Sequence, residues 1–495
     1  MKMGTLSKSM AMAALSLAIF SSCSTPEKEE IASVFQRINQ EVLTNSKAYS
    51  SLQEATSTIG HRLTGSENGE KAEEFTFNLL KSYGFEDVKY MPFEVQTWSR
   101  GDIEVKIANP AGEMELASAV SLAHSPVEAD VLAEIVDLGN GLEEDYAAKP
   151  GAVNGKIALV YIGILPGSAQ GTQNLHRSEK TALAIDNGAI GIIIYNQVDG
   201  GVLLTGTASV TGMLIPIPAI CIGKEDGFSL KERLQKEKVS AHIKMSNKAD
   251  MIRARNVIAT LPGSELPEEK ILIGGHLDSW DLATGATDNG IGSFAVLDMA
   301  RTFKSLGLKP RRSIEFVMFM GEEQGLLGSR AYVDAAVADG SINAIRYMFN
   351  HDMTGNPQGF NAGGRAESEA FFAEIGEMIM AVDSSTFKNQ NRSGAGLHSD
   401  HQPFMLQGIS TLSPVGRLDP GIFACYHADC DDFNLINEAH IRDNVRFSGM
   451  MLYALADSPE LPSYKMSDEE TKEFLIRNGL RLKLKIGGDW RWGDE

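Results

Sequence analysis

Seven residues have side chains of the right type, in an order along the chain, to hold and use metal ions: His276, Asp278, Asp288, Glu322, Glu323, Asp352 and His427. Imidazole and carboxylate are suitable ligands for Zn²⁺, which accepts N and O donors at low coordination number. Two such ions ~3.5–4 Å apart can clamp a water and the oxyanion that develops in peptide-bond hydrolysis. That arrangement needs a bridging carboxylate, which Asp288 could provide, and a histidine with a carboxylate on each ion. It also needs a free carboxylate to take a proton, and the adjacent Glu322 and Glu323 suit a division into base and ligand. Asp278, close after His276, could hydrogen-bond the other ring nitrogen and set its tautomer. Each residue alone is weak evidence, because an isolated Asp or His after a strand is more often a cap. The ordered set is what points to a catalytic metal site.

The apolar runs Ile271-Leu272-Ile273, Ile314 to Phe319 and Tyr347-Met348-Phe349 lead into Gly274-Gly275-His276, Gly321-Glu322-Glu323 and Asn350-His351-Asp352. A helix is expected from about Gly290 to Leu306. Near-continuous apolar strands alternating with helices predict an α/β sheet covered on both faces. The polar residues follow the C-terminal ends of three strands, where open α/β sheets place their ligand sites. Residues 31 to about 90 read as helical up to Gly84, with a polar turn at His61-Arg62-Leu63-Thr64-Gly65-Ser66. From about 115 to 247 the texture changes to short β-rich runs broken by Gly and Pro, a separate module.

The runs Gly275-His276-Leu277-Asp278-Ser279-Trp280-Asp281, Thr287-Asp288-Asn289-Gly290, Gly321-Glu322-Glu323-Gln324-Gly325 and Tyr426-His427 resemble the di-zinc exopeptidases related to bacterial leucyl aminopeptidase and plasma glutamate carboxypeptidase (carboxypeptidase Q-like). The resemblance covers nearly the whole chain after residue 30. His61 to Ser66 matches the family's N-terminal signature, and Gly155 to Val160 with Gly188-Ala189-Ile190-Gly191 is typical of its inserted protease-associated domain. The resemblance implies an α/β zinc-exopeptidase fold, with a mixed, mostly parallel sheet sandwiched by helices. It implies two Zn²⁺ per chain: one on His276 and Asp352, one on Glu323 and His427, with Asp288 bridging. Glu322 becomes the general base and Tyr426 an oxyanion donor. Asp400 matches a loop lining the pocket. The expected domains are 31–114 and 248–460 for the catalytic unit, 115–247 for the insert and 461–495 for an extension without an assigned chemical role.

Tyr426 equally suits a packing role, His351 and His401 read either as supports behind the ligands or as structural, and Trp280 reads as a packing residue rather than a substrate clamp. Cys425 and Cys430 flank His427 and leave two readings open, a disulfide or two free thiols. Relatives often carry Asp-Thr after the ligand histidine, whereas here Asp431 is followed by Asp432. A glutaminyl-cyclase-like enzyme uses one zinc, and a receptor-like relative uses none. The complete ligand set argues against both. The stretch between Asp352 and His427 is too short for the dimerisation domain of the aminoacylase/carboxypeptidase family, and there is no GxSxG or GxxxxGK[ST] run.

The 495 residues carry 45 Lys+Arg against 65 Asp+Glu, a net charge of −20, which lacks the basic footprint of a nucleic-acid binder. Four cysteines without a CxxC pair exclude a disulfide scaffold and a structural CxxC…CxxC zinc site. Lys2 and Lys8, the uncharged run from Met10 to Phe20 and Ser21-Ser22-Cys23 read as a lipoprotein signal over 1–22. Cys23 would carry the lipid, followed by an acidic tether over 23–30. The alternative is an ordinary secretory signal in which Cys23 is incidental. The expected protein is exported and lipid-anchored to the bacterial cell envelope, meeting the membrane only through Cys23. It acts on short peptides, and monomer and homodimer both stay open.

Overall fold

The computed structural model describes Met1, residues 26–416 and residues 418–493. The signal over 1–22 and the lipidation read at Cys23 lie outside the described residues. Among the described residues no helix is long and apolar enough to cross a membrane. The first helix, Pro26–Asn45, begins inside the stretch read as an acidic tether, so the described part of that stretch is helical. Proline is tolerated there because its missing N–H has no intrahelical partner in the first turn. The helices Ala48–Thr58 and Glu67–Ser82 follow, as the spacing over 31–90 predicts.

Strand β1 (Val88–Gln96) then leads into eight strands of a separate sheet. These are β2 (Ile103–Ala108), β3 (Met114–Leu116), β4 (Ala119–Ser121), β5 (Glu128–Asp137), β6 (Ile157–Tyr161), β7 (Gly191–Tyr195), β8 (Ala219–Ile222) and β9 (Ser240–Ser246). The chain returns as β10 (Met251–Leu261), which pairs antiparallel with β1 over its whole length, from Val88↔Ala259 to Gln96↔Met251. The insert therefore emerges from a two-strand stem. Its order is β3-β2-β9-β5-β6-β7-β8-β4. The boundary expected at residue 115 lies earlier, near the Ser99–Lys248 bridge, because β2 is paired with β9 from Ile103↔Met245 onward. Backbone pairing decides the boundary here, and the change in residue texture lags behind it.

The catalytic sheet is completed by β11 (Leu266–His276), β12 (Arg312–Phe319), β13 (Ile345–Asn350), β14 (Pro357–Asn361) and β15 (Ser410–Gly416), in the order β1-β10-β12-β11-β13-β15-β14. β12, β11, β13 and β15 are mutually parallel, and β10 and β14 run against them. All eight residues of β12 are buried because helices cover both faces. Successive side chains alternate between those faces. Ile271, Ile273, Ile314 and Phe316 join Phe294, Phe303, Val445 and Leu452 on one side, and Leu272, Val317 and Phe319 join Tyr332, Val333 and Phe404 on the other.

In the insert, His124 is fully buried with its Nδ1 2.8 Å from the Thr207 hydroxyl, and burial pushes its pKa from 6.5 down to about 4. The unfolded chain binds a proton as pH falls through 6.5 while the folded chain stays neutral to about 4. Stability is therefore lost across that window, by up to about 3 kcal/mol. Denaturant titrations at about pH 7 and about pH 5 should show this fall in the wild type and a smaller one in His124→Gln. Equal falls in both proteins would remove His124 as the cause.

Candidate metal centre

β11, β12 and β13 end side by side, and their C-terminal ends deliver His276, the Glu322–Glu323 pair and Asp352. Asp288 comes from the loop that opens the helix Ile291–Ser305, and His427 follows the short helix Pro420–Ala424. The two oxygens of Asp288 face different histidines. Oδ1 is 3.3 Å from His276 Nε2, and Oδ2 is 3.0 Å from His427 Nε2. Asp352 Oδ1 lies 3.4 Å from His276 Nε2, and Glu323 Oε2 lies 3.1 Å from His427 Nε2. Asp288 thus stands between two half-sites, each completed by one histidine and one further carboxylate. Donor atoms of His276, Asp288 and Glu323 all fall within 4.8 Å of one another.

The Asp288 loop and Asp352 are held from behind by hydrogen bonds. The Asp431 carboxylate accepts the backbone N–H of Thr287 at 2.8 Å and of Asp288 at 3.0 Å, and also the Thr287 hydroxyl. Asp432 accepts from the backbone N–H and hydroxyl of Thr284, at 3.2 and 2.9 Å. The departure from the family pattern at this position therefore supplies a second anchor for the Asp288 loop. Ser399 donates to Asp352 Oδ2 at 2.7 Å and receives the Asn350 amide at 2.8 Å. Arg62, fully buried, donates to the carbonyls of Leu277, Thr284 and Gly285 at 2.6, 2.7 and 2.8 Å. The signature His61 to Ser66 is thus a staple across the loops that carry the ligands. Gly65 is required within it: at φ +87°, an added Cβ would stand 2.0 Å from Thr97 Cγ2.

The insert reaches into the centre. Thr205 exchanges contacts with His427, donating its backbone N–H to the His427 carbonyl at 2.9 Å while its own carbonyl lies 3.3 Å from Nδ1. Arg177 Nη2 is 3.1 Å from the same Nδ1. Arg100 ties the modules together: it pairs with Asp281 at 2.9 Å and donates to the Thr205 hydroxyl at 2.7 Å. His427 itself adopts a left-handed backbone, φ 54°, within a loop closed by the Cys425–Cys430 disulfide. Of the two readings left open for that cysteine pair, the disulfide is the one formed.

The electrostatics of the cluster call for positive charge. Burial raises the carboxyl pKa of Glu322 well above the ordinary range; His276 opposes this, while Asp352, Glu323 and Asp400 reinforce it. Burial raises Glu323 as well. It also acts against charge on Asp288, but the two flanking imidazoles outweigh it and hold that carboxyl low. His276 is pushed well above 6.5 despite its burial, by Glu322 and the neighbouring carboxylates. Protons are drawn to the histidines because the carboxylates need cations beside them. Glu323 Oε1 is buried with no hydrogen-bond partner. An orphaned carboxylate oxygen beside imidazole nitrogens fits a divalent cation, whose bonds satisfy lone pairs that no N–H reaches.

Two family models match the chain: residues 256–451 match Peptidase family M28, and residues 127–230 match the PA domain. The catalytic domain belongs to peptidase family M28. Carboxypeptidase Q of Bos taurus is 26% identical over 424 residues, covering 84% of this chain and 86% of its own. The M28 fold is shared with a peptidase M28 precursor from Shewanella amazonensis SB2B, at TM-score 0.74 and 23% identity, covering 89% of this chain and 99% of that one. It is shared also with a zinc aminopeptidase from Bacillus subtilis, at TM-score 0.61 and 24% identity, covering 85% and 97%. The PA match falls inside the inserted sheet, so the M28 domain is interrupted by a PA domain.

The M28 centre brings together His276, Asp288, Glu322, Glu323, Asp352, Tyr426 and His427 around one cavity. Tyr426 stacks on the His427 ring at 3.9 Å. Asp278 differs from expectation. Its backbone carbonyl, at 3.1 Å, is what His276 Nδ1 meets, while its carboxylate stands at 3.7 Å. That carboxylate instead accepts the Glu322 backbone N–H at 3.2 Å, because Glu322 follows the end of β12, which is paired with β11 up to His276↔Phe319. Asp400 is fully buried behind the centre and does not line this cavity. Trp280 packs with Leu63, Trp98 and Ala123, and His351 is buried against Phe349. Arg177 and Thr205 went unmarked in the sequence, and Asp431 was marked there only as part of a departure from the family pattern.

Asp431→Ala frees two backbone amides and a hydroxyl that hold Asp288 in place. Metal affinity should fall about 10- to 100-fold, read by competition with a chromogenic chelator. Unaltered affinity would mean that the loop holds Asp288 without this anchor.

Proposed function

We propose that this M28 metallo-exopeptidase is a two-zinc enzyme that acts outside the cytoplasm and hydrolyses the peptide bonds of short peptides or dipeptides, with Glu322 as general base. The observation that carries the two-ion reading is Asp288, one of whose oxygens serves each histidine. His276 and Asp352 would hold one ion, Glu323 and His427 the other, and Asp288 both. The zinc in the name of the Bacillus subtilis relative supports the choice of metal. Zinc, when bound, supplies a Lewis acid for the scissile carbonyl and makes water acidic near neutral pH.

The chain's own groups do the rest. Glu322 stands at the cavity wall with its backbone N–H held by Asp278. Its carboxylate accepts the proton of the attacking water and returns it to the leaving amine nitrogen. Burial favours the protonated carboxyl, which helps that return. Tyr426, half-buried at the cavity and stacked on His427, donates its hydroxyl to the carbonyl oxygen as that oxygen gains charge. The Asp278 carbonyl positions His276 and its carboxylate positions Glu322. The Cys425–Cys430 disulfide fits an oxidising compartment, and with the export signal over 1–22 it supports a place in the cell envelope, anchored by a lipid on Cys23.

Glu322→Gln should lower kcat on a dipeptide panel by roughly 10²- to 10⁴-fold while zinc content stays the same. Chelation should abolish turnover in the wild type, and added zinc should restore it. Unchanged turnover in the variant would sink Glu322 as the base. Stable binding of a single zinc by fully active protein would sink the two-ion reading.

A further inference from the structure

Arg177 opens the helix Arg177–Asp186 of the insert and lines the catalytic cavity, yet it is only 6% exposed. Its guanidinium occupies the space where a side chain of residue 206 would stand: an added Cβ on Gly206 would lie 2.1 Å from both Nε and Nη2. Gly206, at φ +131°, is thus a cradle that no other residue type could form. Thr205, just before it, bonds the His427 backbone, so one stretch of the insert holds both the guanidinium and the imidazole. The C-terminal extension braces this arrangement. Its helix Arg481–Ile486 packs Leu484 with Met405 and Leu406, and Ile486 against the insert core that holds Leu175 and Leu183. Arg330 grips Asp489 through both Nη atoms at 2.6 and 2.8 Å, and Gln402 donates to the same carboxylate at 2.7 Å. The same clasp brings Lys483 to the cavity wall.

This cation is held at a cost. Among the described residues Arg177 has no carboxylate at ion-pair distance, and its Nε is buried with no acceptor. Nη2 stands 3.1 Å from His427 Nδ1. His427 turns Nε2 to Asp288 and Glu323, where a cation would bind, so the ring keeps its proton on Nδ1. The Thr205 carbonyl at 3.3 Å accepts that proton's hydrogen bond. The imidazole then offers Arg177 no lone pair. Tyr426 does. It stacks on the same ring with centroids 3.9 Å apart and lines the same cavity. Burial raises the pKa of its hydroxyl, and the charge and hydrogen bond of the Arg177 guanidinium oppose that rise.

We propose that Arg177 is a positioning residue for Tyr426: its guanidinium, cradled on Gly206, donates to the Tyr426 oxygen and aims the phenol O–H at the carbonyl oxygen that gains charge. No proton changes hands. A hydroxyl whose oxygen accepts a charged hydrogen bond is itself a stronger donor. The gain grows with the charge on the receiving oxygen, so it falls on the transition state rather than on bound substrate. This inference rests on the peptidase reading above and adds that the inserted domain takes part in the chemistry.

The test is a double-variant cycle on zinc-loaded protein with L-alanyl-L-leucine. Arg177→Met should lower kcat roughly ten- to hundred-fold, less than the loss of a direct oxyanion donor, with KM and zinc content kept. Gly206→Ala leaves the arginine in place but displaces its guanidinium, and should give the same split between kcat and KM. In a Tyr426→Phe background, Arg177→Met should lower kcat by no more than about two-fold, because the two residues act as one unit. Calorimetry with a phosphinic dipeptide analogue, whose tetrahedral oxygen stands for the developing oxyanion, should show the same losses and the same non-additivity. The dipeptide itself should bind Glu322→Gln protein equally with and without Arg177→Met. Should Arg177→Met not fold, Arg177→Lys, which keeps the buried charge and loses the planar fork, carries the same cycle. If the wild type does not hydrolyse the dipeptide while the analogue still reports the coupling, the peptidase reading fails and the Arg177–Tyr426 link stands. Losses that multiply in the double variant, that fall on KM, or that follow a loss of zinc overturn the inference.

Discussion

Four carboxylates meet at the ends of three buried strands, and like charges at that spacing do not stay together unless positive charge lies between them. The imidazoles of His276 and His427 supply part of it, each against one oxygen of Asp288. In the proposed two-ion reading, a divalent cation in each half-site would satisfy the remainder. Much of the surrounding structure resists the tendency of this cluster to spread. The Arg62 staple, the Asp431 and Asp432 anchors and the Asn350–Ser399–Asp352 chain each use buried hydrogen bonds to hold a ligand-bearing loop in place. Asn289 belongs with them, donating to the His351 carbonyl at 2.7 Å and accepting the Met353 N–H at 3.0 Å, and so ties the Asp288 loop to the Asp352 loop.

The inserted PA domain takes part in that work. It leaves through β1 and returns through β10, a stem that belongs to the catalytic sheet. Arg100, just beyond the stem, pairs with Asp281 of the ligand-bearing loop and with Thr205 of the insert. Thr205 in turn meets both the backbone and the ring of His427. A histidine in the left-handed backbone region is held at some cost, of the order of 1 kcal/mol, and these contacts offset it. The insert, the catalytic sheet and the C-terminal extension therefore each contribute a wall or a support to one site.

The residues of the cluster were legible because strand-end chemistry is local. An apolar run sets the strand, and the polar residues after it must lie at the sheet's C-terminal edge. His276, Glu322, Glu323 and Asp352 were readable in that way, and Asp288 and His427 through the motifs around them. Arg177 and Lys483 were not. Arg177 opens the helix Arg177–Asp186 of the insert, and nothing in its neighbours says that it reaches His427. Lys483 lies in a segment for which the sequence offered no chemistry, and Asp489 in its clasp is a common acid in a polar tail. The pairing of β2 with β9 ahead of residue 115 was also not legible, because it joins residues more than a hundred positions apart.

The sequence by itself determined the fold class, the order along the chain of the histidines and carboxylates that the fold gathers, and the presence of an inserted module. Periodicity and residue type act over a few positions, and those properties need nothing more. Tertiary structure alone decided which oxygen of Asp288 faces which histidine, that Asp278 holds Glu322 by its carboxylate and His276 by its carbonyl, and that Arg177 and Lys483 face a common cavity. Those outcomes depend on contacts between residues far apart in the chain. Hydrogen-bond direction and burial are settled only when the sheet, the insert and the extension have closed on one another.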